Sequence, residues 1–283
     1  YTEVREGRGT PNGGVWIDVS HLGADVVEKS FRGMVKRCRD FGRDLAREPV
    51  EVGPTTHFMM GGVVIDCECR TAVEGLFAAG EDAGGVHGAN RLGGNGVAES
   101  TVFGGIAGDV MADWVVGRLL PQISRAHVEA ASAASTAPLG RSESGESLYG
   151  LQARLREVMW EHVGLVRAGE GLKLALAEIE DVANRLESVA VRGGGAYNLA
   201  WQDWMNLRSQ ATTAWLIARS ALERTESRGS HYRRDFPETA AEAVAVFAGR
   251  ADGAGPKVWT EPVRHIRLKP DAARLPVTVD VGD

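Results

Sequence analysis

The sequence predicts a mixed α/β segment followed by an α-helical bundle. Three observations lead there: an alternating apolar run near the start, a glycine-rich stretch set between a short apolar run and a long helical period, and three amphipathic stripes beyond residue 150. At 283 residues the chain is long enough for about two domains. Its 36 glycines are an excess over the usual ~7%, and 13 of them fall between residues 61 and 108. A glycine excess without a strict repeat, and with ordinary aliphatic content, excludes collagen and disorder.

The formal charge of −6 argues against a nucleic-acid binder, which would carry a basic face, and leaves small molecules or proteins as partners. Three cysteines, Cys38, Cys67 and Cys69, are too few for a disulfide framework and suit a reducing, cytoplasmic compartment. No apolar run reaches the ~18 residues of a membrane helix. The chain opens at Tyr1 within a charged stretch, so an amino-terminal portion is expected before it.

Val15, Ile17 and Val19 alternate onto one face of a strand. Residues 23–47 read as a short, basic helical segment, and Pro49 and Pro54 bracket an extended piece. Met59 to Ile65 reads as a strand broken by Gly61 and Gly62, Cys67 to Arg70 as a polar turn and not a metal site, and Gly75 to Gly80 as a compact buried strand. A loop from Gly80 to Gly96 then feeds a helix over about Val97 to Leu119. Gly104, Gly105 and Gly108 should cost that helix roughly 2 to 3 kcal/mol relative to alanine, which implies close approach of another backbone or a ligand.

Residues 124–149 lack a hydrophobic period and read as a linker. Beyond them run stripes through Leu151, Leu155 and Val158, through Leu172, Leu176 and Ile179, and through Trp201, Trp204 and Trp215, the tryptophans serving as core anchors. Arg228, His231, Arg233 and Arg234 form a basic cluster, read as a solvated helix end or as a surface packing back on the first domain or a partner. The last forty residues alternate weakly, as at Val277 and Val279, and suggest paired edge strands.

The informative chemistry lies in His57-Phe58-Met59-Met60-Gly61-Gly62 and in the run from Gly80 to Gly96. A strand ending in a glycine-rich loop that opens a helix offers backbone N–H groups and the positive end of a helix dipole to an anion. Glu81, just after the strand, can accept from hydroxyls. His57, His87 and Arg91 are donors suited to carboxylates.

These residues, HGANRLGGN preceded by AAGE and by H-x-M-M-G-G, closely resemble the flavoprotein subunit of succinate dehydrogenase and fumarate reductase, with L-aspartate oxidase as a relative. Supporting matches are Arg5 to Gly9 and Glu226 to Pro237, so the resemblance spans roughly residues 1–240. It implies a second segment of a flavin-binding α/β domain with a remnant of the capping domain, followed by a carboxy-terminal helical bundle. The boundaries it implies are 1–50 for the end of the capping domain and return strand, 51–120 for the flavin-domain segment, 121–149 for a linker, 150–240 for the helical domain and 241–283 for an extension.

The resemblance further implies FAD as cofactor and hydride transfer between the flavin and a C4-dicarboxylate such as succinate or fumarate. By it, His57 and Arg91 hold the dicarboxylate and are the catalytic residues of this segment, Glu81 binds the flavin, and the backbone of Asn95, Gly96 and Val97 faces the flavin ring. His87 keeps two readings, a structural hydrogen bond within the loop or a contact with flavin or substrate. An iron–sulfur electron-transfer subunit is the implied partner, with location at the cytoplasmic face of the inner membrane through partner subunits.

Two departures from the family pattern stand out. Gly96-Val97 replaces the usual Ser-Leu, removing a hydroxyl while keeping the backbone donors. The GxGxxG fingerprint for the ADP half of FAD, the substrate-gripping Thr-Glu segment and the proton-donating arginine are absent from this sequence, so the fragment is expected to be inactive alone. An L-aspartate oxidase-like enzyme and a non-catalytic helical module that docks an electron-transfer subunit are the alternatives. The Leu-Gly-Gly-Asn run favours the succinate/fumarate branch.

Overall fold

The computed structural model describes residues 1–119, 122–142, 145–250 and 256–263, in two units that divide between Val115 and Val116. In the first, a single helical turn, α1 (Thr2–Arg5), precedes β1 (Val15–Ile17), which pairs antiparallel with β2 (Val50–Val52) so that Trp16 faces Glu51. Thr10 and Asn12 donate side-chain hydrogen bonds to the Glu51 carboxylate and hold its pKa below the ordinary value. The strand predicted to reach Val19 stops at Ile17, because the Asp18 carboxylate accepts the Ser20 N–H at 2.9 Å and opens a 3-10 turn over Ser20–Leu22.

The basic segment forms two helices, α2 (Ala24–Ser30) and α3 (Arg32–Asp40), joined at Phe31. Val27 and Val35 from these helices pack with Leu45 and Ala46 in a small core.

The two strands expected at 59–65 and 75–80 do not form as ladders. The first makes a single parallel bridge, Val63 to Ala83, and the second a single antiparallel one, Arg70 to Phe77. The reason in the first case is glycine. The Val63 N–H bonds to Asp82 O and the Gly84 N–H to Val63 O, and backbones approach so closely that a Cβ on Gly62 would lie 2.2 Å from Asp82 O. The second lacks the expected burial: Leu76 stays half exposed, at 51%. The polar turn forms as expected, the Asp66 carboxylate accepting the Glu68 and Arg70 N–H groups. Cys69 sits there at φ +63°, fully buried, its thiol pKa raised by burial.

Helix α4 runs over Asn95–Val115, starting two residues before the predicted Val97 and ending four before Leu119. The close neighbour inferred for Gly104, Gly105 and Gly108 is not found among the described residues, since a Cβ at any of the three would meet no atom within 4 Å.

In the second unit the predicted linker contains a helix, α5 (Arg125–Thr136). Absence of a hydrophobic stripe was a poor guide, because alanine-rich chain is helical by propensity alone. Ser124 caps this helix by accepting the His127 N–H, and none of its residues is buried. Helices α6 (Leu148–Val163), α7 (Gly169–Leu186) and α8 (Leu199–Glu223) form the bundle, with Ser147 and Asn198 as side-chain caps.

The bundle core is built from the predicted stripes. Leu151, Leu155 and Val158 meet Leu172, Ile179 and Val182, and Trp204, Leu207 and Ala211 close the third side. Trp204 is fully buried and its indole N–H donates to Leu186 O at 3.0 Å. Trp201 and Trp215 lie at the core's edge, donating to Ser135 O and Glu180. Strands β3 (Val244–Arg250) and β4 (Pro256–Pro262) pair antiparallel, with Phe247 stacked on Trp259. Val277 and Val279 lie outside the described residues.

The basic cluster is not simply a solvated helix end. Arg233 is 2% exposed, and its Nη1 donates to the carbonyls of Ala221, Leu222 and Arg224 at the end of α8. Its Nε and Nη2 pair with Asp235 at 2.8 Å, and Asp235 accepts the Gly169 N–H at the start of α7. One arginine and one aspartate thus clasp the end of one helix to the beginning of another.

Candidate active site

The predicted site residues fall in the first unit, on three short pieces of chain. His57 and Phe58 precede the Gly61-Gly62 crossing, the loop from Gly80 to Gly94 carries Glu81, His87 and Arg91, and α4 begins at Asn95. Glu81 lies in a 3-10 turn over Gly80–Asp82 and its Oε1 accepts the Met59 N–H at 2.8 Å, tying the first piece to the second. His57 is exposed.

Arg91 is placed by Phe58. The guanidinium lies over the phenyl ring, 4.4 Å from Cζ to the ring centre, and Nη1 donates to Leu92 O at 3.1 Å. Its Nε N–H is buried and has no hydrogen-bond partner among the described residues. A buried charged donor left unpaired is costly, so this guanidinium is suited to an acceptor from outside the chain. Gly96 makes the arrangement fit, for a Cβ there would come within 3.3 Å of the Phe58 ring.

His87 makes a structural hydrogen bond, running from the loop to α4 and not within the loop. Its Nε2 bonds to Glu99 Oε2 at 2.8 Å and its ring meets Phe58 edge-on, centroids 5.3 Å apart at 77°. Glu99, with a side chain only 2% exposed, retains Oε1 without a partner among the described residues. Sequence reasoning missed Phe58 and Glu99. The signals were an aromatic directly after His57 and a lone carboxylate near the start of an otherwise small, apolar helix.

Asn95, Gly96 and Val97 are the first three residues of α4, where N–H groups have no intrahelical acceptor and the dipole favours negative charge. Beside them Leu92 and Val97 are 73% and 78% exposed, an apolar surface next to polar donors.

Two family models match: one described as an FAD binding domain over residues 1–97, and one as the fumarate reductase flavoprotein C-terminus over residues 152–275. The chain belongs to the succinate dehydrogenase/fumarate reductase flavoprotein family. Among family relatives, an uncharacterized FAD-dependent oxidoreductase of Methanocaldococcus jannaschii is 41% identical over 261 residues, covering 92% of this chain and 46% of that protein. A fumarate reductase (CoM/CoB) subunit from Methanothermobacter marburgensis is 43% identical, covering 86% of this chain and 44% of its own length. An L-aspartate oxidase of Synechocystis is 31% identical over 81% of this chain and 42% of its own. A quinol-fumarate reductase solved with menaquinol superposes with a TM-score of 0.85 at 27% identity, over 95% of this chain and 48% of its own. The chain therefore shares the fold of the family's flavoprotein and spans about half the length of the curated relatives it matches.

FAD is the cofactor of this flavoprotein family, and the residues present fit it. Glu81 is an exposed carboxylate suited to hydroxyls, the start of α4 supplies N–H donors, and Leu92 and Val97 offer apolar surface for a ring.

Proposed function

We propose that residues 1–283 carry the dicarboxylate side of an FAD-dependent oxidoreductase, which in the parent protein moves a hydride between flavin and a C4-dicarboxylate such as succinate or fumarate. The observation that carries this reading is Arg91, a guanidinium seated on Phe58 with an unpaired buried N–H. Arg91 pairs with one substrate carboxylate, and His57, exposed on the neighbouring segment, donates to another. Glu81 accepts from cofactor hydroxyls, and the N–H groups of Gly96 and Val97 oppose negative charge at the flavin ring. FAD, when bound, supplies the two-electron redox chemistry.

On this reading residues 1–50 are the end of the capping domain, 51–120 the second segment of the flavin domain, 121–149 a connection that contains α5, 150–240 the helical domain and 241–283 an extension. An iron–sulfur electron-transfer subunit is the partner, at the cytoplasmic face of the inner membrane. The relation to an L-aspartate oxidase favours a second reading, oxidation of L-aspartate at the same site.

The test is Arg91→Ala in the full-length parent, with fumarate, succinate and L-aspartate assayed in parallel. Turnover of the true substrate should fall about 100- to 1000-fold while visible flavin absorbance is retained, as for loss of a charged transition-state contact. Unchanged turnover of all three refutes the reading, and loss confined to L-aspartate selects the second.

A further inference from the structure

We propose that Glu99 is a positioning residue for Arg91, acting through His87 and Phe58; the inference rests on the reading of Arg91 as the carboxylate ligand. Glu99 is an unusual thing to find in the second turn of a helix that otherwise buries only Ala107. Burying a carboxylate is costly unless all its acceptor positions are met, and among the described residues only Oε2 is, by His87. Helix stability alone does not account for a carboxylate kept there half-satisfied.

What the bond does is orient a ring. His87 Nε2, held at 2.8 Å by Glu99, turns the imidazole edge-on to Phe58 at 77°. Phe58 in turn presents its face to Arg91, whose single direct hydrogen bond among the described residues, to Leu92 O, fixes one end of the guanidinium but not its plane. Gly96 borders the stack on the guanidinium side, where a Cβ would come within 3.3 Å of the Phe58 ring and 3.8 Å of Arg91 Cζ. Carboxylate, imidazole, phenyl and guanidinium thus form one continuous series from α4 to the substrate ligand. Release at Glu99 lets His87 turn, unseats Phe58, and leaves Arg91 free to leave the geometry that binds and orients a carboxylate.

The experiment uses the full-length, flavin-loaded parent, with kcat and KM for the accepted dicarboxylate normalised to bound flavin. Glu99→Met, which removes the acceptor, and Phe58→Leu should each lower kcat/KM about tenfold to hundredfold, the scale of an ångström-sized misplacement. Phe58→Tyr, which keeps the ring, should recover most of the activity that Phe58→Leu loses. The double variant Glu99→Met/Phe58→Leu should be no worse than the poorer single variant, because both act through one route. Losses that multiply in the double variant, or unchanged kinetics in Glu99→Met, overturn the proposal. If Glu99→Met yields no flavoprotein, His87→Phe takes its place: it keeps a ring against Phe58 but removes the bond, so a loss supports the series and wild-type kinetics overturns it. Arg91→Ala is the control. If it has no effect, the reading of Arg91 fails and the proposal with it; if it abolishes turnover while Glu99→Met changes nothing, the positioning role alone is overturned.

Discussion

His231 is bonded through Nδ1 to Arg167 Nη1 at 2.8 Å, and an arginine can only donate, so the imidazole is neutral with its proton on Nε2. Burial first, and then the nearby charges of Arg167, Arg224 and Arg233, push its pKa down to about 4 from 6.5. The unfolded chain therefore takes up a proton near pH 6.5 that the folded chain refuses until about pH 4. Stability from this residue is complete above pH 6.5 and is lost as pH falls toward 4, by up to roughly 3 kcal/mol. Urea midpoints measured at pH 7 and pH 4.5 should show a smaller drop in His231→Gln than in the wild type; equal drops would refute the assignment. At this scale the sequence was only partly legible. It singled out His57, Glu81, His87 and Arg91 because their types suit carboxylates and hydroxyls, but Phe58 and Glu99 matter through contacts between residues 12 to 33 positions apart, which close only when the chain is folded, with a backbone crossing at Gly62 and a close side-chain approach at Gly96.

Among the elements, the helices with apolar stripes were predictable because burial imposes a period of 3.6 on the residues that face a core. Helix α5 was not, since it buries none of its residues and has no stripe to read. The strands at 59–65 and 75–80 were over-read for the opposite reason: short apolar runs suggest ladders, but a ladder needs neighbours, and each segment finds one bridge among the described residues. The arginine-rich end of α8 shows how charge can mislead. Four basic residues look solvated in a sequence, yet Arg233 is the most buried charge described. Its removal strands three carbonyls and leaves Asp235 without the hydrogen bond that chiefly lowers its pKa. Arg233→Met should destabilise the bundle by about 1.5 to 3 kcal/mol, the range for losing hydrogen bonds from a buried charged group. Thermal unfolding followed by helical circular dichroism would show it; a loss below about 1 kcal/mol, typical of an exposed pair, would refute the clasp.

Taken whole, the chain distributes its apolar residues unequally. The second unit gathers its stripes into one continuous core, whereas the first has a four-residue core around Val27 and leaves Val64, Leu76, Val97, Val102 and Val115 more than half exposed. Trp204→Ala should therefore cost about 3 to 5 kcal/mol, since it empties the largest buried side chain of the bundle and frees the Leu186 carbonyl. Denaturation monitored by helical signal checks this, and a change under about 1 kcal/mol would place Trp204 outside the core.

The clasp between Arg233 and Asp235 also redraws where the bundle ends as a cooperative unit. Judged by its helices, the bundle would be cut after Glu223, the last residue of α8. Such a cut would open the carboxy-terminal carbonyls of α8 and the first amide of α7 at once, because both are closed by residues ten or more positions further on. Glu226 extends the boundary further, its carboxylate accepting the Ala240 N–H while paired with Arg224 and Arg228. The smallest piece that keeps both the helix termini and the Glu226 contacts thus runs through Ala240, and the seventeen residues after α8 belong to the folding unit as much as the helices do.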